Sequence, residues 1–380
     1  MDKLIQYLNH IQEQLKNIKD GEEIHIVIGN ESCDIDSSVS AVILAYFLHK
    51  HKTLRIPKNA LVVPIQNVSQ EKFLQRPDNC LVFREAKIPL NLLVYRNQLD
   101  FTRLCKTNKV TSTLVDHHVL SKNDLVLKDT VVQIFDHRPR DPAINWNEEH
   151  VEVNIQQVGS CSTLIAEKIL AVDAALLSRE LAYMIYETIV YDTVSLLLEN
   201  GRTTELDLQI AKKLENTFQI SEDRQSLYKK LWDAHIDVSN LTPRQMLDKD
   251  LKIVEDIPVP GLPMLVENFL KVSGAYDAIK TFADDYKVSL LVLVGLDASN
   301  GVKRDVAVYW KSTGSALKDH LLQKLWNSEK LKGYDLSLSE VRTEFTDIVC
   351  LKVNNIKMSR KQLVPLVQDA VVENRLDTDE

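Results

Sequence analysis

Two aspartates one residue apart, Asp34 and Asp36, stand in the stretch GNESCDIDS (29–37) with no lysine or arginine among them. Downstream, VDHHVLS (115–121) sets Asp116, His117 and His118 together, FDHRPRD (135–141) adds Asp136, His137 and Arg138, and YDTVS (191–195) adds Asp192. Carboxylates gathered this way need a counter-charge, and a divalent cation supplies one. Mostly oxygen ligands with one or two imidazoles suit Mg2+ or Mn2+ better than zinc or copper. Two such ions about 3.5–4 Å apart, sharing a carboxylate, make a hydrolytic site for phosphoryl groups. Each fragment alone is ordinary, because DxD caps helices and HH pairs mostly pack or solvate. The two Asp-His pairs beginning at Asp116 and Asp136, joined to DxD and the later Asp192, are harder to explain as coincidence. A separate cationic cluster, Arg360 and Lys361 in KMSRKQLVP (357–365), and the single Lys252 in DKDLK read alone as solvated loops. They gain a role if they face phosphate.

The elements that must position these residues alternate. EIHIVI (23–28), ALVVPI (60–65), NLLVYR (91–96), STLVDHH (112–118) and VVQIFDHR (131–138) read as strands. SVSAVILAYFLHK (38–50), CSTLIAEKILAV (161–172) and SRELAYMIYETIV (178–190) read as helices. Near-continuous apolar strands between helices imply a doubly wound parallel sheet covered on both faces. Ligands of such a sheet bind beyond the carboxyl ends of its strands, where most of these acids fall. Thr204 and Asp207 form a T-x-x-D helix start, and the charged stretch 221–240 reads as a connection, which sets the domain boundary at 215/216. The pattern then changes. Thr242 caps a helix with Pro243 in first position, and VSLLVLVGLDASNGVKRDVAVYW (288–310) reads as a hairpin turning at Asn300-Gly301. ALKDHLLQKLW (316–326) is helical, IVCLKVN (348–354) is a strand, and Pro365 opens a last helix. The fold class is α/β over residues 1–215, followed over 216–380 by a smaller α+β domain with a mixed sheet and a mobile tail, ENRLDTDE.

A chain of 380 residues, 44% hydrophobic, is long enough for two domains with their own cores. Leu4, Leu8, Ile11, Leu15 and Ile18 share one face of an N-terminal amphipathic helix, which is not a signal-peptide core. No apolar run approaches the roughly 18–20 residues of a membrane span. Five scattered cysteines, none in a CxxC pair, suit a reducing, cytoplasmic setting without a zinc site. A formal net charge of −8 without a basic stripe argues against nucleic acid as partner. A small anionic substrate needs only a local group of cations.

The motifs GNESCDIDSSVSA, VDHH, DHRP, VGSCSTLI and IVYDT resemble the five N-terminal motifs of the DHH phosphoesterases. DKDLK and SRKQ-x-x-P resemble the C-terminal DHHA2 domain. Family II inorganic pyrophosphatases, cytosolic exopolyphosphatases and the prune proteins share that pairing, and GNESCD, VDHHVLS and DHRP are most similar to the prune branch. The resemblance implies Asp34 as a ligand of a first ion, Asp36 as a ligand of a second, Asp116 bridging both, and His137 and Asp192 completing the second site. It implies that Lys252, Arg360 and Lys361 grip phosphates from the second domain, and that VGSCST starts a helix beneath the site with Ser160 and Ser162 in structural roles. Asn30 stands where pyrophosphatases have a metal-binding histidine, so the first of the two Mg2+ or Mn2+ ions is expected to bind more weakly. Arg138 replaces the second histidine of a DHH motif. It neither titrates near neutral pH nor ligates metal, but it can hold phosphate oxygens bidentately, so hydrolysis is expected to be slow. The chain has no Gly-Gly pair, and so lacks the glycine-rich element of the relatives that cut oligonucleotides.

The expected activity is release of terminal phosphate from short-chain polyphosphates, or another small phosphoanhydride, at a dinuclear site in the cleft between the domains. Asp116 would set the ion separation. Arg138, Lys252, Arg360 and Lys361 would stabilise charge on the phosphoryl oxygens, and His118 is the remaining candidate for proton transfer. Two small cationic clusters offer no channel for a long polyanion. Two other readings stand beside this one. A cyclic nucleotide phosphodiesterase would need an aromatic platform, for which Tyr309 and Trp310 are candidates. A regulatory binding protein with signalling partners would keep the cage as a relic, a direction in which Asn30 and Arg138 point.

Overall fold

The computed structural model describes residues 1–297, 301–329, 333, 335–355 and 360–378, without the side chains of 361 and 376–378. Six strands of the first half form one sheet: β1 (Glu23–Ile28), β2 (Leu61–Gln66), β3 (Val94–Tyr95), β4 (Lys109–Val115), β5 (Val131–Asp136) and β6 (Glu152–Ile155). They are parallel throughout, in the order β3-β2-β1-β4-β5-β6. Ile24 through Ile28 are buried without a break, and since successive side chains point to opposite faces, both faces are covered. The order reverses at β1, which pairs with β2 on one side and β4 on the other. That reversal is the switch point at which open α/β sheets leave a crevice. The segments that follow β1 and β4 carry Asp34, Asp36 and Asp116.

The helix after β1, Ile35–Lys50, starts where the Asp34 side chain accepts the Ser37 N–H at 3.0 Å. Ile35 through Leu48 are all buried, the mark of a helix surrounded by others, and it packs against Cys161–Val172 and Arg179–Asp192. The N-terminal helix Asp2–Leu15 docks through Leu4, Leu8 and Ile11. The strand expected over 91–96 shortens to Val94–Tyr95, because Gln98 Oε1 takes the Tyr95 N–H (2.8 Å) and the chain curls into single turns on either side. The edge strand β6 is not among the strands expected: its sequence, EVNI, alternates, but over only four residues, all half-buried.

Contacts divide the chain into two compact units, Met1–His235 and Ile236–Glu380. The stretch read as a connection is largely the helix Arg224–Ile236. Its Leu227 and Leu231, four residues apart, are fully buried in the first core, so residues 216–235 pack with the first unit.

The second unit holds β7 (Leu251–Val254), β8 (Ile257–Leu262), β9 (Leu290–Asp297), β10 (Lys303–Trp310), β11 (Leu338–Val341) and β12 (Ile348–Val353). Their order is β11-β12-β10-β9-β8-β7, antiparallel except for the parallel pair β8–β9. Alternate residues of the β9–β10 hairpin feed two cores. Val292, Val294, Val306 and Val308 join Leu321 and Leu366, while Leu291, Leu293, Ala307 and Tyr309 join Ile279 and Phe282. Asn300 of the expected turn lies outside the described residues. Thr242 caps Pro243–Lys249 as the sequence implied. The expectation for Pro365 is corrected: it lies inside the helix Arg360–Thr378 rather than opening it. The missing N–H costs one bond to the carbonyl of Lys361, while buried Leu363, Leu366 and Val367 hold the helix against its core. The same helix runs through residues 373–378 of the segment read as a tail. Among the described residues no helix is long and apolar enough to cross a membrane.

Leu227→Ala should open a cavity costing about 2–5 kcal/mol in the first unit. Hydrogen exchange followed by mass spectrometry should then accelerate in Arg179–Asp192 and Glu205–Phe218, with β7 to β12 unchanged. Acceleration confined to residues 236–380 would place the helix with the second unit.

Candidate metal centre

Asp36, Asp116 and His137 meet at the switch point, with one ligand atom from each lying within 4.8 Å of the others. His137 Nε2 is 3.2 Å from Asp116 Oδ1 and 4.0 Å from Asp36 Oδ2. Each residue is aimed by its own element. Asp36 lies in the first turn of Ile35–Lys50, facing the amino end of Cys161–Val172. Cys161 N donates to its Oδ2 (2.6 Å), while Ser162 N (2.8 Å) and Ser162 Oγ (2.7 Å) donate to its Oδ1. A helix amino terminus therefore meets much of that charge.

Asp116 follows β4 in the left-handed region (φ 60), which aspartate enters more readily than most residues. Its own N–H donates to Phe135 O (2.8 Å). Asp136 bends the chain after β5, its Oδ1 accepting the N–H groups of His137 (2.8 Å) and Arg138 (3.2 Å). His137 Nδ1 donates to Val158 O at 3.0 Å. That bond leaves the lone pair on Nε2, toward Asp116 and Asp36, which is the tautomer a metal-binding imidazole adopts.

Asp192 Oδ2 is buried and accepts no hydrogen bond, and Asp116 Oδ1 has only His137 Nε2 (3.2 Å) and Arg138 NH2 (3.5 Å) beside it. Leaving such an atom unsatisfied costs about 1–3 kcal/mol, a cost that a cation would remove. Asp192 ends the helix Arg179–Asp192. Burial, and then the charges of Asp36, Asp34 and Asp116, hold its carboxyl well above the usual range. Burial first and the Asp34 charge second push the Asp116 carboxyl up to about 8. Burial alone would lower the His137 imidazole, but the Asp116 and Asp36 carboxylates outweigh it and raise it to about 9. Without an ion the cage thus retains protons. Two carboxylates and one imidazole with ligand atoms this close, and the buried Asp192 carboxyl under the same charges, fit a hard divalent cation.

The other side of Asp116 is arranged differently. Its Oδ2 accepts from Asn30 Nδ2 (2.7 Å) and Ser37 Oγ (2.6 Å). Asn30 Oδ1 accepts from Ser32 Oγ (2.5 Å) and Cys33 N (3.1 Å), so the amide turns its donor, not its oxygen, toward Asp116. Asp34 is exposed and capped onto Ser37 N.

His118 is turned from the cage. Its Nδ1 pairs with Asp136 Oδ2 and its Nε2 accepts the Asp141 N–H (2.9 Å), which uses both ring nitrogens. Arg138 stands at the rim, its side chain 48% exposed and its NH2 3.5 Å from Asp116 Oδ1. In the second unit Lys252 is exposed on β7. Arg360 NH2 holds both carboxylate oxygens of Asp250 at 2.7 Å, and its NH1 donates to Asp250 O (2.7 Å). The Lys361 side chain lies outside the described residues. Ser37 and the Cys161 N–H escaped the sequence reading. A serine three residues past a capping aspartate is common, and backbone donors leave no mark in a sequence.

The DHH family, N-terminal domain matches residues 25–192, and the DHHA2 domain matches residues 229–370. "Exopolyphosphatase PRUNE1" of Bos taurus is 32% identical over 372 residues, covering 96% of this chain and 79% of that protein. The chain belongs to the DHH family. Other relatives of this DHH protein include "Exopolyphosphatase PRUNE1" of Homo sapiens, 31% identical over 360 residues (93% of this chain, 77% of the relative). A "Putative exopolyphosphatase" of Schizosaccharomyces pombe is 26% identical over 402 residues (97% and 98%). In fold, the DHH protein is similar to the crystal structure of a Methanococcus jannaschii putative family II inorganic pyrophosphatase. That likeness has a TM-score of 0.50 at 20% identity and covers 91% of this chain and 99% of that one. The family read from the motifs, DHH with DHHA2 and similar to prune, holds.

Ion binding needs His137 neutral and Asp116 ionised, so their raised pKa values make protons compete with the metal. Mn2+ affinity should climb as pH rises from 6.5 toward about 9. Titration calorimetry in buffers of different ionisation enthalpy should show proton release on binding. Affinity independent of pH over that window would mean that the cage holds no such protons.

Proposed function

We propose that this DHH protein is a divalent-metal-dependent phosphoanhydride hydrolase that releases terminal phosphate from short-chain polyphosphates. The reading is carried by the cage of Asp36, Asp116 and His137 and the unsatisfied Oδ2 of Asp192. Relatives named exopolyphosphatases support polyphosphate as the substrate class. Mg2+ or Mn2+ bound there would supply Lewis acidity, lowering the pKa of water and neutralising phosphoryl charge. Asp36, Asp116, His137 and Asp192 would hold the ion, with Val158 O and the Cys161–Ser162 turn fixing the ligands. A second ion would be held by Asp34, by Asp116 shared with the first site, and by Asn30 once its amide has turned from Asp116. Asn30 and Ser37 must first release Asp116 Oδ2, which makes that site the weaker one.

Arg138 at the rim offers its fork to phosphoryl oxygens. Lys252, Arg360 and Lys361 would be phosphate-binding cations of the second unit. Arg360 would exchange the two oxygens of Asp250 for two of phosphate, since its fork accepts either bidentately. His118 can move a proton only by giving up the Asp141 N–H. Turnover is therefore slow, with leaving-group charge met by cations rather than by an acid. The five unpaired cysteines fit a cytoplasmic setting. The cyclic nucleotide reading is the weaker one, since Tyr309 is 3% exposed in its core and Lys318 Nζ covers the Trp310 ring at 4.8 Å.

The test is phosphate release from tripolyphosphate, pyrophosphate and cyclic AMP with Mg2+ or Mn2+, for wild type beside Asp116→Asn. Release should be fastest from tripolyphosphate and fall at least about tenfold in the variant, since losing a ligand costs no less than losing its outer-shell partner. No release from any of the three by metal-loaded wild type would leave the regulatory binding protein. Faster, processive hydrolysis of long chains would overturn the short-chain preference.

A further inference from the structure

Asp207 is fully buried and stands in no ion pair among the described residues, yet its carboxylate accepts four hydrogen bonds. Oδ2 takes Thr204 N (2.8 Å), Thr204 Oγ1 (2.7 Å) and Gly159 N (2.8 Å), and Oδ1 takes Thr163 Oγ1 (2.6 Å). Capping the helix Glu205–Phe218 needs only the bonds to Thr204. The other two reach a different part of the chain, the loop 158–160 and the first turn of Cys161–Val172.

Those are the segments that aim two of the cage residues. Val158 O holds His137 Nδ1, and the Cys161–Ser162 turn holds Asp36. A third link runs through Gly159. A Cβ at that position would lie 2.3 Å from Thr193 Cγ2 and 2.9 Å from Asp207 Oδ2, so glycine alone lets the loop lie between Asp207 and the residue following Asp192. Thr193 leads into three successive left-handed residues, Val194 (φ 51), Ser195 (φ 69) and Leu196 (φ 59), a conformation costing about 1–2 kcal/mol at each. Side chains keep it in place. Leu196 N donates to Thr193 Oγ1 (3.2 Å), Asn200 Nδ2 to Val194 O (3.0 Å), and Thr203 Oγ1 to Thr193 O (3.2 Å). Thr203 immediately precedes Thr204, which Asp207 holds.

We propose that Asp207 is a positioning residue of the metal centre, its one carboxylate fixing from behind the supports of Asp36 and His137 and the turn that carries Asp192. The inference rests on reading Asp36, Asp116, His137 and Asp192 as a metal cage. Asp207 touches neither ion nor substrate. It acts by holding the Val158 carbonyl and the Cys161 and Ser162 N–H groups where the ligands need them.

In Asp207→Asn of the full chain, an amide NH2 replaces one acceptor and faces the N–H or O–H donors that Asp207 receives. Melting temperature should fall. In addition, the folded variant, held well below its melting temperature, should bind Mn2+ about 10–100-fold more weakly, the usual loss for an outer-shell partner. Free Mn2+ is read from its electron paramagnetic resonance signal. A purely structural residue would lower the melting temperature and leave that affinity within about twofold of wild type, which would overturn the proposal. If Asp207→Asn does not fold, Thr163→Val removes only the donor to Oδ1 and should still weaken Mn2+ binding severalfold with an unchanged circular dichroism spectrum. Unchanged affinity there overturns the proposal too. A wild type that binds no Mn2+ overturns the cage itself, whereas binding by wild type and variants alike overturns only the role of Asp207.

Discussion

Mutual repulsion among Asp36, Asp116 and Asp192 is the constraint that the first unit is built to contain. Two like charges about 4 Å apart at an effective dielectric near 20 repel by about 4 kcal/mol, more than any single hydrogen bond returns. Several devices share the load. The amino end of Cys161–Val172 takes Asp36, Asn30 and Ser37 take one oxygen of Asp116, and His137 stands between the two acids. Asp192 Oδ2, which accepts no hydrogen bond, and Asp116 Oδ1, which faces only His137 and Arg138, are where a cation has most to gain.

The two oxygens of Asp116 express that economy unequally. Oδ2 is closed by two donors, while Oδ1 is open toward His137 and Arg138. A histidine at position 30 would present a lone pair to an ion there. Asparagine instead turns its NH2 toward the carboxylate, and a hydrogen bond takes the place of a ligand bond. Arg138 makes a parallel exchange on the other side, supplying a fixed positive charge where an imidazole would titrate.

Part of the backbone strain falls in the same places. Left-handed residues occur at Cys33 beside Asp34, at Asp116 itself, and at Val194, Ser195 and Leu196 just past Asp192. Strain of this kind persists where surrounding bonds over-determine it, and the polar contacts of Thr193, Asn200 and Thr203 do so for the last of these. The second unit repeats the theme with a cation. Gly261 leaves room for the Arg360 guanidinium to lie against β8, where a Cβ would fall 2.7 Å from its NH1, and Asp250 holds the fork in a phosphate-like grip.

Much was legible in the residues alone. The strands β1, β2, β4 and β5, the helix Cys161–Val172 and the hairpin β9–β10 follow from apolar patterning and turn residues, because period and punctuation are local properties. Asp36, Asp116 and His137, which the fold brings together, stood out as well, since acids and histidines at strand ends have few other reasons to cluster. The rest depended on contacts between distant segments. That the helix Arg224–Ile236 belongs with the first unit rests on just two buried leucines in a charged stretch. That Asn30 donates rather than ligates, that His118 is spent on Asp136 and Asp141, and that Asp207 reaches past its own cap to Gly159 and Thr163 are outcomes of packing. Sequence determined which groups can carry charge or bind metal, because that is chemistry of the side chain. Only the tertiary structure decided which lone pairs stay free, because hydrogen bonds are claimed by whichever partners the fold brings within 3 Å or so.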